Sequence, residues 1–195
     1  FCAGGQLADI TADKLMLENI YSGFLCIAQC SLPTIAAVNG PAVGAGFNMA
    51  VGCDVRIVTE NARFEPRFFG LGLHPGGGNT WMLRQIANWN TAAGMLLFSQ
   101  SLSGQQAVDK GLAWACVPAD ELIDSAFRFT ENIQNLPKQL LVETKQTLRT
   151  AGGTNEHDEI VELETIRQIN SLTQPFAQNA IAAMIDKISG VKNQF

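Results

Sequence analysis

Apolar residues recur at intervals of three and four between residues 12 and 30, through Leu17, Ile20, Phe24 and Ile27. This spacing predicts an amphipathic helix packed on the sheet that follows. Short apolar or β-branched runs at 34–38, 55–58 and 62–64 each end at a turn signal and predict strands. Between the first two lies LPTIAAVNGPAVGAGFNMAVGCD, residues 32–54, on which the rest of the chain is organised. It passes from a strand through the turn Asn39-Gly40-Pro41 to Gly44-Ala45-Gly46, then into a helix-like apolar segment at 47–51. Helices are expected over 80–87 and 91–98, joined near Trp89-Asn90, and over 104–110, where Gly111 suits a left-handed cap. A last strand is expected at 112–117. Strands that alternate with helices imply a parallel, layered α/β architecture.

Beyond Pro118 the pattern is helical throughout. Asp120 can cap a helix running to about residue 135, with Ile123, Phe127 and Thr130 on one face, and Leu136-Pro137 breaks it. Further helices are expected over 139–150, 156–172 and 176–188, with Gly152-Gly153 as a loop. The chain therefore divides into an α/β core, residues 1–118, and a helical region, residues 119–195.

Composition narrows the class of molecule. With 195 residues and 47% hydrophobic content, the chain can bury one good core, and any second part is small. A net charge of -5 without a lysine or arginine run argues against nucleic acid as the partner. No apolar run approaches the roughly 18 residues of a spanning helix, so no membrane role is expected, and no charged-then-apolar leader is visible. Cys2, Cys26, Cys30, Cys53 and Cys116 are odd in number and set in apolar surroundings. They read as buried, reduced thiols, which fits a cytoplasmic setting. No metal site is expected, because His74 and His157 are the only histidines and Cys26 and Cys30 lack companions. The acidic run Glu156, Asp158, Glu159, Glu162 and Glu164 reads as a solvated helix face. The glycine run at 74–79 lacks the Gly-Lys-Ser/Thr ending of a phosphate loop, and Gly44-Ala45-Gly46 does not fit the dinucleotide pattern GxGxxG.

The chemistry that remains is backbone chemistry. Small residues at Gly44-Ala45-Gly46 let a ligand approach closely, and the first N–H groups of a helix have no acceptor within it. A developing negative charge can be held there without a charged side chain. The plain alternative is a glycine-rich packing corner between strand and helix.

Four segments, in order, resemble the crotonase (enoyl-CoA hydratase/isomerase) superfamily. LPTIAAVNGPAVGAGFNMAVGCDVRIV is similar to its signature segment, and FCAGGQL to its FxAGxDL segment. ARFEPRFFGLGLHPGGGNT resembles AxFxxPExxxGxxPGxGGT, and LSGQQAVDKGLAWACVPADEL resembles LTGxxxxAxxAxxxGLVxxVVPxxEL. The resemblance implies a crotonase-like ββα spiral followed by a helical trimerisation region. It implies an acyl-CoA thioester as substrate, with CoA entering as part of that substrate and no separate cofactor, and a homotrimer or a hexamer made of two trimers. In the family FxAG lies well inside the chain, so an upstream strand-and-helix turn that helps bind the CoA nucleotide is expected to be missing from this sequence.

Carried over residue by residue, the resemblance makes the N–H groups of Gly5 and Ala45 the two donors of an oxyanion hole for the thioester carbonyl. Ala3, Gly44 and Gly76 are candidate substrate-binding positions. Family hydratases use two glutamates for proton transfer. The first position, GGGxE, holds Asn48 here, which can orient a water but cannot take its proton. The second holds Phe68 by gapless count, or Arg67 if Pro66 is matched to the family proline. Glu65 and His74 are the replacement bases considered. His74 precedes a helix N-terminus that disfavours its protonated form, while its plain alternative is a loop histidine satisfying nearby backbone. Asp54 reads as a structural cap or pair. Two functions stay open at this stage. One is an enzyme working through a CoA-thioester enolate, in fatty-acid-type metabolism, as a lyase or isomerase. The other is a non-catalytic acyl-CoA-binding protein, favoured by the ring of Phe68, which would fill space that a hydrating water needs.

Overall fold

The computed structural model describes residues 1–5, 14–152, 166, 170, 173–179 and 181. Two compact units are found, Phe1–Gln134 and Asn135–Phe195. In the first, α1 (Lys14–Ala28) precedes β1 (Ile35–Val38), β2 (Pro41–Val43) and α2 (Ala45–Gly52). Then come β3 (Val55–Thr59), β4 (Arg63–Glu65), α3 (Asn79–Ile86) and α4 (Trp89–Leu96). The unit ends with β5 (Leu102–Ser103), α5 (Gly104–Asp109), β6 (Ala115–Val117) and α6 (Leu122–Arg128). The second unit contains α7 (Lys138–Ala151). The helices expected over 156–172 and 176–188 lie largely outside the described residues, as does the whole acidic run at 156–164 and Gly153.

Two three-stranded sheets carry the first unit. One has the order β1-β3-β6, all parallel, with Ile35 opposite Val55 and Ile57 opposite Ala115. The other has the order β2-β4-β5, with β2 parallel and β5 antiparallel to β4. Cys2 adds a parallel bridge to Ala42 at the edge of the second sheet. The β-branched run of β3, VRIVT, suits a strand with neighbours on both sides, and its last four residues are buried. The core is centred on Phe47 and Phe64, both fully buried, whose rings meet edge to face at 6.1 Å.

Several expectations need correction. β2 replaces part of the turn expected at Asn39-Gly40-Pro41, because Pro41 can open a strand at which its missing N–H costs nothing. β5 was also not foreseen; it runs straight into α5, whose capping box pairs Ser103 and Gln106. α4 begins at Trp89 rather than after it, since the Asn88 side chain accepts from the Thr91 N–H at 2.9 Å and caps the helix. The single helix expected from Asp120 is broken into a 3-10 turn (Ala119–Glu121), α6 and a second 3-10 turn (Glu131–Ile133). α1 lies chiefly against α2 instead of on the sheet. The cysteines form no disulfide, but they are not buried: Cys26 is exposed and the other four are half-buried. Burial still pushes the Cys116 thiol up from its ordinary pKa, with the charge of Glu60 adding to it. No described helix is long and apolar enough to cross a membrane.

Arg56, 5% exposed, fastens α2 from its C-terminal end. Its Nη1 donates to the Cys53 carbonyl at 2.6 Å and to that of Ala50 at 3.3 Å, Nη2 donates to the Asp54 carbonyl at 3.2 Å, and Nε donates to Leu112. The carbonyls at a helix C-terminus lack partners within the helix and carry the negative end of its dipole, so a guanidinium is well placed there. Burial lowers the Arg56 pKa from its ordinary value, opposed by Cys53 and Asp54. Asp54 also closes the turn below: its Oδ2 accepts from the Thr34 N–H at 2.7 Å and from the Thr34 hydroxyl at 2.9 Å. Arg56→Met is expected to cost about 3–5 kcal/mol, since several buried carbonyls lose a charged donor at once. Urea denaturation checks this; a loss below about 1 kcal/mol would contradict the role given to Arg56.

Candidate active site

The site grows from two backbone turns pressed together. Cys2 N–H donates to the Pro41 carbonyl and Val43 N–H donates to the Cys2 carbonyl, both at 3.0 Å, so the first residues run alongside β2. At Gly46 a Cβ would collide with the Cys2 carbonyl; only glycine lets this strand sit on the first turn of α2. Gly4, at φ +94°, comes equally close: a Cβ there would stand 2.6 Å from the Val43 carbonyl oxygen and 3.7 Å from the Ala45 nitrogen. Gly5 is the next residue along the chain and is exposed. Gly44, at φ 53° and ψ -113°, turns the chain from β2 into that helix. Ala45 is the first helical residue, so its N–H has no acceptor within α2. Neither the Gly5 nor the Ala45 N–H donates to any backbone carbonyl among the described residues.

Asn48, one turn further along α2 and 2% exposed, is held at both ends. Its Nδ2 donates to the Gly76 carbonyl at 3.0 Å, and its Oδ1 accepts from Asn79 Nδ2. The carbonyl of Gly76 can only accept, which fixes the direction of the Asn48 amide and hence that of Asn79. Asn79 Oδ1 is buried with no partner among the described residues. The loop between His74 and Asn79 is pressed onto α1: a Cβ at Gly76 would strike the Tyr21 hydroxyl, and one at Gly77 the ring of Phe24. Gly77 and Gly78 accordingly adopt φ 64° and 77°.

His74 is exposed, and its Nδ1 donates to the Pro75 carbonyl at 2.7 Å. Because a carbonyl cannot donate, this bond puts the proton of the neutral ring on Nδ1 and leaves Nε2 as the lone-pair nitrogen. Glu65 is tied to β2 and the Gly44 turn through its backbone: Val43 lies opposite it, and Gly44 N–H donates to its carbonyl at 3.0 Å. Its side chain is engaged with Arg67 at 2.8 Å and Arg63 at 3.6 Å. Phe68 is half-buried against the apolar core, just before the 3-10 turn Phe69–Leu71. Ala3 is exposed beside Gly4, and Gly44 is half-buried.

The structure therefore sets Gly4, the residue before Gly5, against Val43 and Ala45, and bonds Asn48 to Gly76. Sequence reasoning missed Asn79, whose position at the start of α3 after three glycines was the available signal. It missed the arginine partners of Glu65 too, although RFEPR alternates a strand and could have suggested them.

The match to known proteins is extensive. Residues 1–185 match the family described as enoyl-CoA hydratase/isomerase. The chain belongs to the enoyl-CoA hydratase/isomerase family. It is 38% identical over 194 residues to a protein named probable enoyl-CoA hydratase EchA14 from Mycobacterium tuberculosis, covering 94% of this chain and 75% of that one. It is 34% identical over 173 residues to the 1,2-epoxyphenylacetyl-CoA isomerase of Escherichia coli, covering 84% of this chain and 66% of that one. The crystal structure of an enoyl-CoA hydratase from Polaromonas sp. JS666 superposes with a TM-score of 0.86 at 27% identity, covering 96% of this chain and 76% of that chain. The fold is the α/β crotonase fold, and the protein is a crotonase-family enzyme acting on an acyl-CoA.

Asn48→Ala would leave the Gly76 carbonyl and the Asn79 amide without their buried partner. A stability loss of about 2–4 kcal/mol is expected from two such groups, measured by thermal or urea unfolding. An unchanged midpoint would mean that water replaces the amide at no cost and that Asn48 is free for other work.

Proposed function

We propose that the enzyme holds the thioester carbonyl oxygen of an acyl-CoA between the backbone N–H groups of Gly5 and Ala45, and that it works through an enolate, moving a double bond, rather than by ordinary hydration. The observation that carries this reading is the packing of Gly4 against Val43 and Ala45, which sets the two turns side by side. When a base takes the α-proton of a 3-enoyl thioester, the C–H electron pair forms a new Cα–C1 π bond and the carbonyl π pair moves onto oxygen. Two fixed N–H dipoles meet that charge. A proton returned to the γ-carbon restores the carbonyl and leaves the 2-enoyl thioester, so one proton leaves and one is delivered.

Hydration needs an acid/base pair around a water. The positions that resemble those of the hydratase glutamates hold Asn48, whose amide is engaged by Gly76 and Asn79, and Phe68, packed on the core. Of the two bases considered, His74 fits proton transfer better, because its Nε2 is left as an acceptor while Glu65 is engaged by two arginines. The Escherichia coli relative is named as an isomerase of an acyl-CoA, 1,2-epoxyphenylacetyl-CoA, so isomerase chemistry on a CoA thioester occurs among the relatives.

The test is loss of the α-proton of hexanoyl-CoA in deuterated water, followed by NMR. Ala45→Pro removes one N–H at a first helical position, where proline is well tolerated. It is expected to slow exchange about 100- to 1000-fold, with hexanoyl-CoA still bound and the fold intact. His74→Gln should slow exchange at least about 100-fold, and Glu65→Gln should do so only if the carboxylate is the base instead. Exchange that is indifferent to Ala45→Pro would sink the oxyanion assignment. Hydration of crotonyl-CoA at roughly 1 to 1000 per second would show an acid/base pair other than the one proposed.

The same reading includes a homotrimer or a pair of trimers. Trp89, Leu97 and Phe98, 65%, 55% and 71% exposed, supply the apolar surface a second copy would cover. Sedimentation is expected to give three or six chains per particle, and a monomer at micromolar concentration would contradict the assembly.

A further inference from the structure

A cavity of about 400 Å³ opens beside β4, lined by Glu65, Arg67, Leu71, Ser99 and Ser101 among others. Its size suits part of a small organic ligand. Arg67 and Ser99 both line it, and they are the non-glycine residues with positive φ among the described residues, at 58° and 53°. That conformation is costly for a residue with a Cβ, and such strain gathers where a side chain must be aimed. Glu65 takes only the Nε edge of Arg67, at 2.8 Å, while the two terminal nitrogens of the guanidinium donate to nothing among the described residues. With Arg63 also in contact, the group of one carboxylate and two guanidiniums carries a net positive charge. The Ser99 and Ser101 hydroxyls add neutral donors, and Leu71 an apolar side.

We propose that this cavity receives a carboxylate at the far end of the acyl chain, with Arg67 as its anchor and Glu65 as the group that positions Arg67. A planar guanidinium with a free edge matches a carboxylate through two parallel N–H bonds. The cavity lies next to the oxyanion strand, because Glu65 pairs with Val43 and its carbonyl is bonded to the Gly44 N–H. The inference rests on the thioester carbonyl being held at Ala45. The substrate class is then an acyl-CoA whose acyl group is a dicarboxylic acid joined through one end.

The test compares the affinities of CoA, hexanoyl-CoA and octanoyl-CoA with those of adipyl-CoA and suberyl-CoA by calorimetry. At least one dicarboxylic thioester is expected to bind about tenfold or more tightly than its neutral partner of equal length. Arg67→Gln and Arg67→Gly should abolish that difference while hexanoyl-CoA affinity changes less than about threefold. Arg67→Gly also removes the positive-φ strain, so its Tm should not fall. An equal loss for all ligands, CoA included, would assign the arginine to the CoA phosphates and overturn the proposal. So would the absence of any preference for the dicarboxylic thioesters. Ala45→Pro separates the two readings: it should slow α-proton exchange of hexanoyl-CoA, and if it does while Arg67 proves indifferent, only the carboxylate site is wrong.

Discussion

The close seating of the Cys2 strand on the first turn of α2 is the contact on which the rest of the site depends. Two hydrogen bonds to β2 hold that strand, and Gly46 and Gly4 are the places where any side chain would force the backbones apart. The proposed oxyanion hole is made of backbone and has no side chain to adjust its position, so its geometry would be only as good as this packing. The opposite end of the helix is fixed by Arg56, which draws the carbonyls of Ala50, Cys53, Asp54 and Leu112 toward one guanidinium. α2 is thus held at its N-terminus by close approach and at its C-terminus by charge.

What the sequence made legible follows from how local each cause is. Gly44-Ala45-Gly46 after an apolar run announces a strand-to-helix junction, because glycine and helix-start chemistry act within a few residues. Gly111 likewise marks the end of α5 by its left-handed φ of 73°. β2 and β5 escaped notice because strands of three and two residues are too short to show alternation; their pairing partners define them, and those lie elsewhere in the chain. The broken helix after Pro118 escaped for a related reason. Ile123 and Phe127 keep helical spacing, but both are more than half exposed, so their periodicity reports no buried face.

The candidate site divides along the same line. The strand-to-helix junction at Gly44-Ala45-Gly46 could be read from local residues, and the donor pair Gly5 and Ala45 came from the family resemblance, whereas the fate of each polar side chain depended on distant partners. Asn48 looked available to orient a water; Gly76 and Asn79, about thirty residues on, consume both ends of its amide. Glu65 looked like a spare carboxylate, and its two arginines turn it into part of a charged cluster. His74 is the opposite case: a bond to the adjacent Pro75 carbonyl fixes its tautomer and leaves Nε2 able to accept a proton. Removing one oxyanion donor commonly costs about 2.7–4 kcal/mol of transition-state stabilisation, comparable to what a general base supplies at 100- to 10,000-fold. On the proposed reading, two backbone donors and one base suffice for enolate chemistry, whereas hydration needs a second proton-transfer group beside a bound water.

The central claim concerns the thioester carbonyl, and isotope-edited infrared spectroscopy of bound [1-13C]hexanoyl-CoA tests it directly. Two fixed N–H donors polarise a carbonyl more than water does, so the stretch is expected to move to lower frequency on binding and to move back in Ala45→Pro. A bound carbonyl that keeps its frequency in water, in a complex shown to be saturated, would contradict the account.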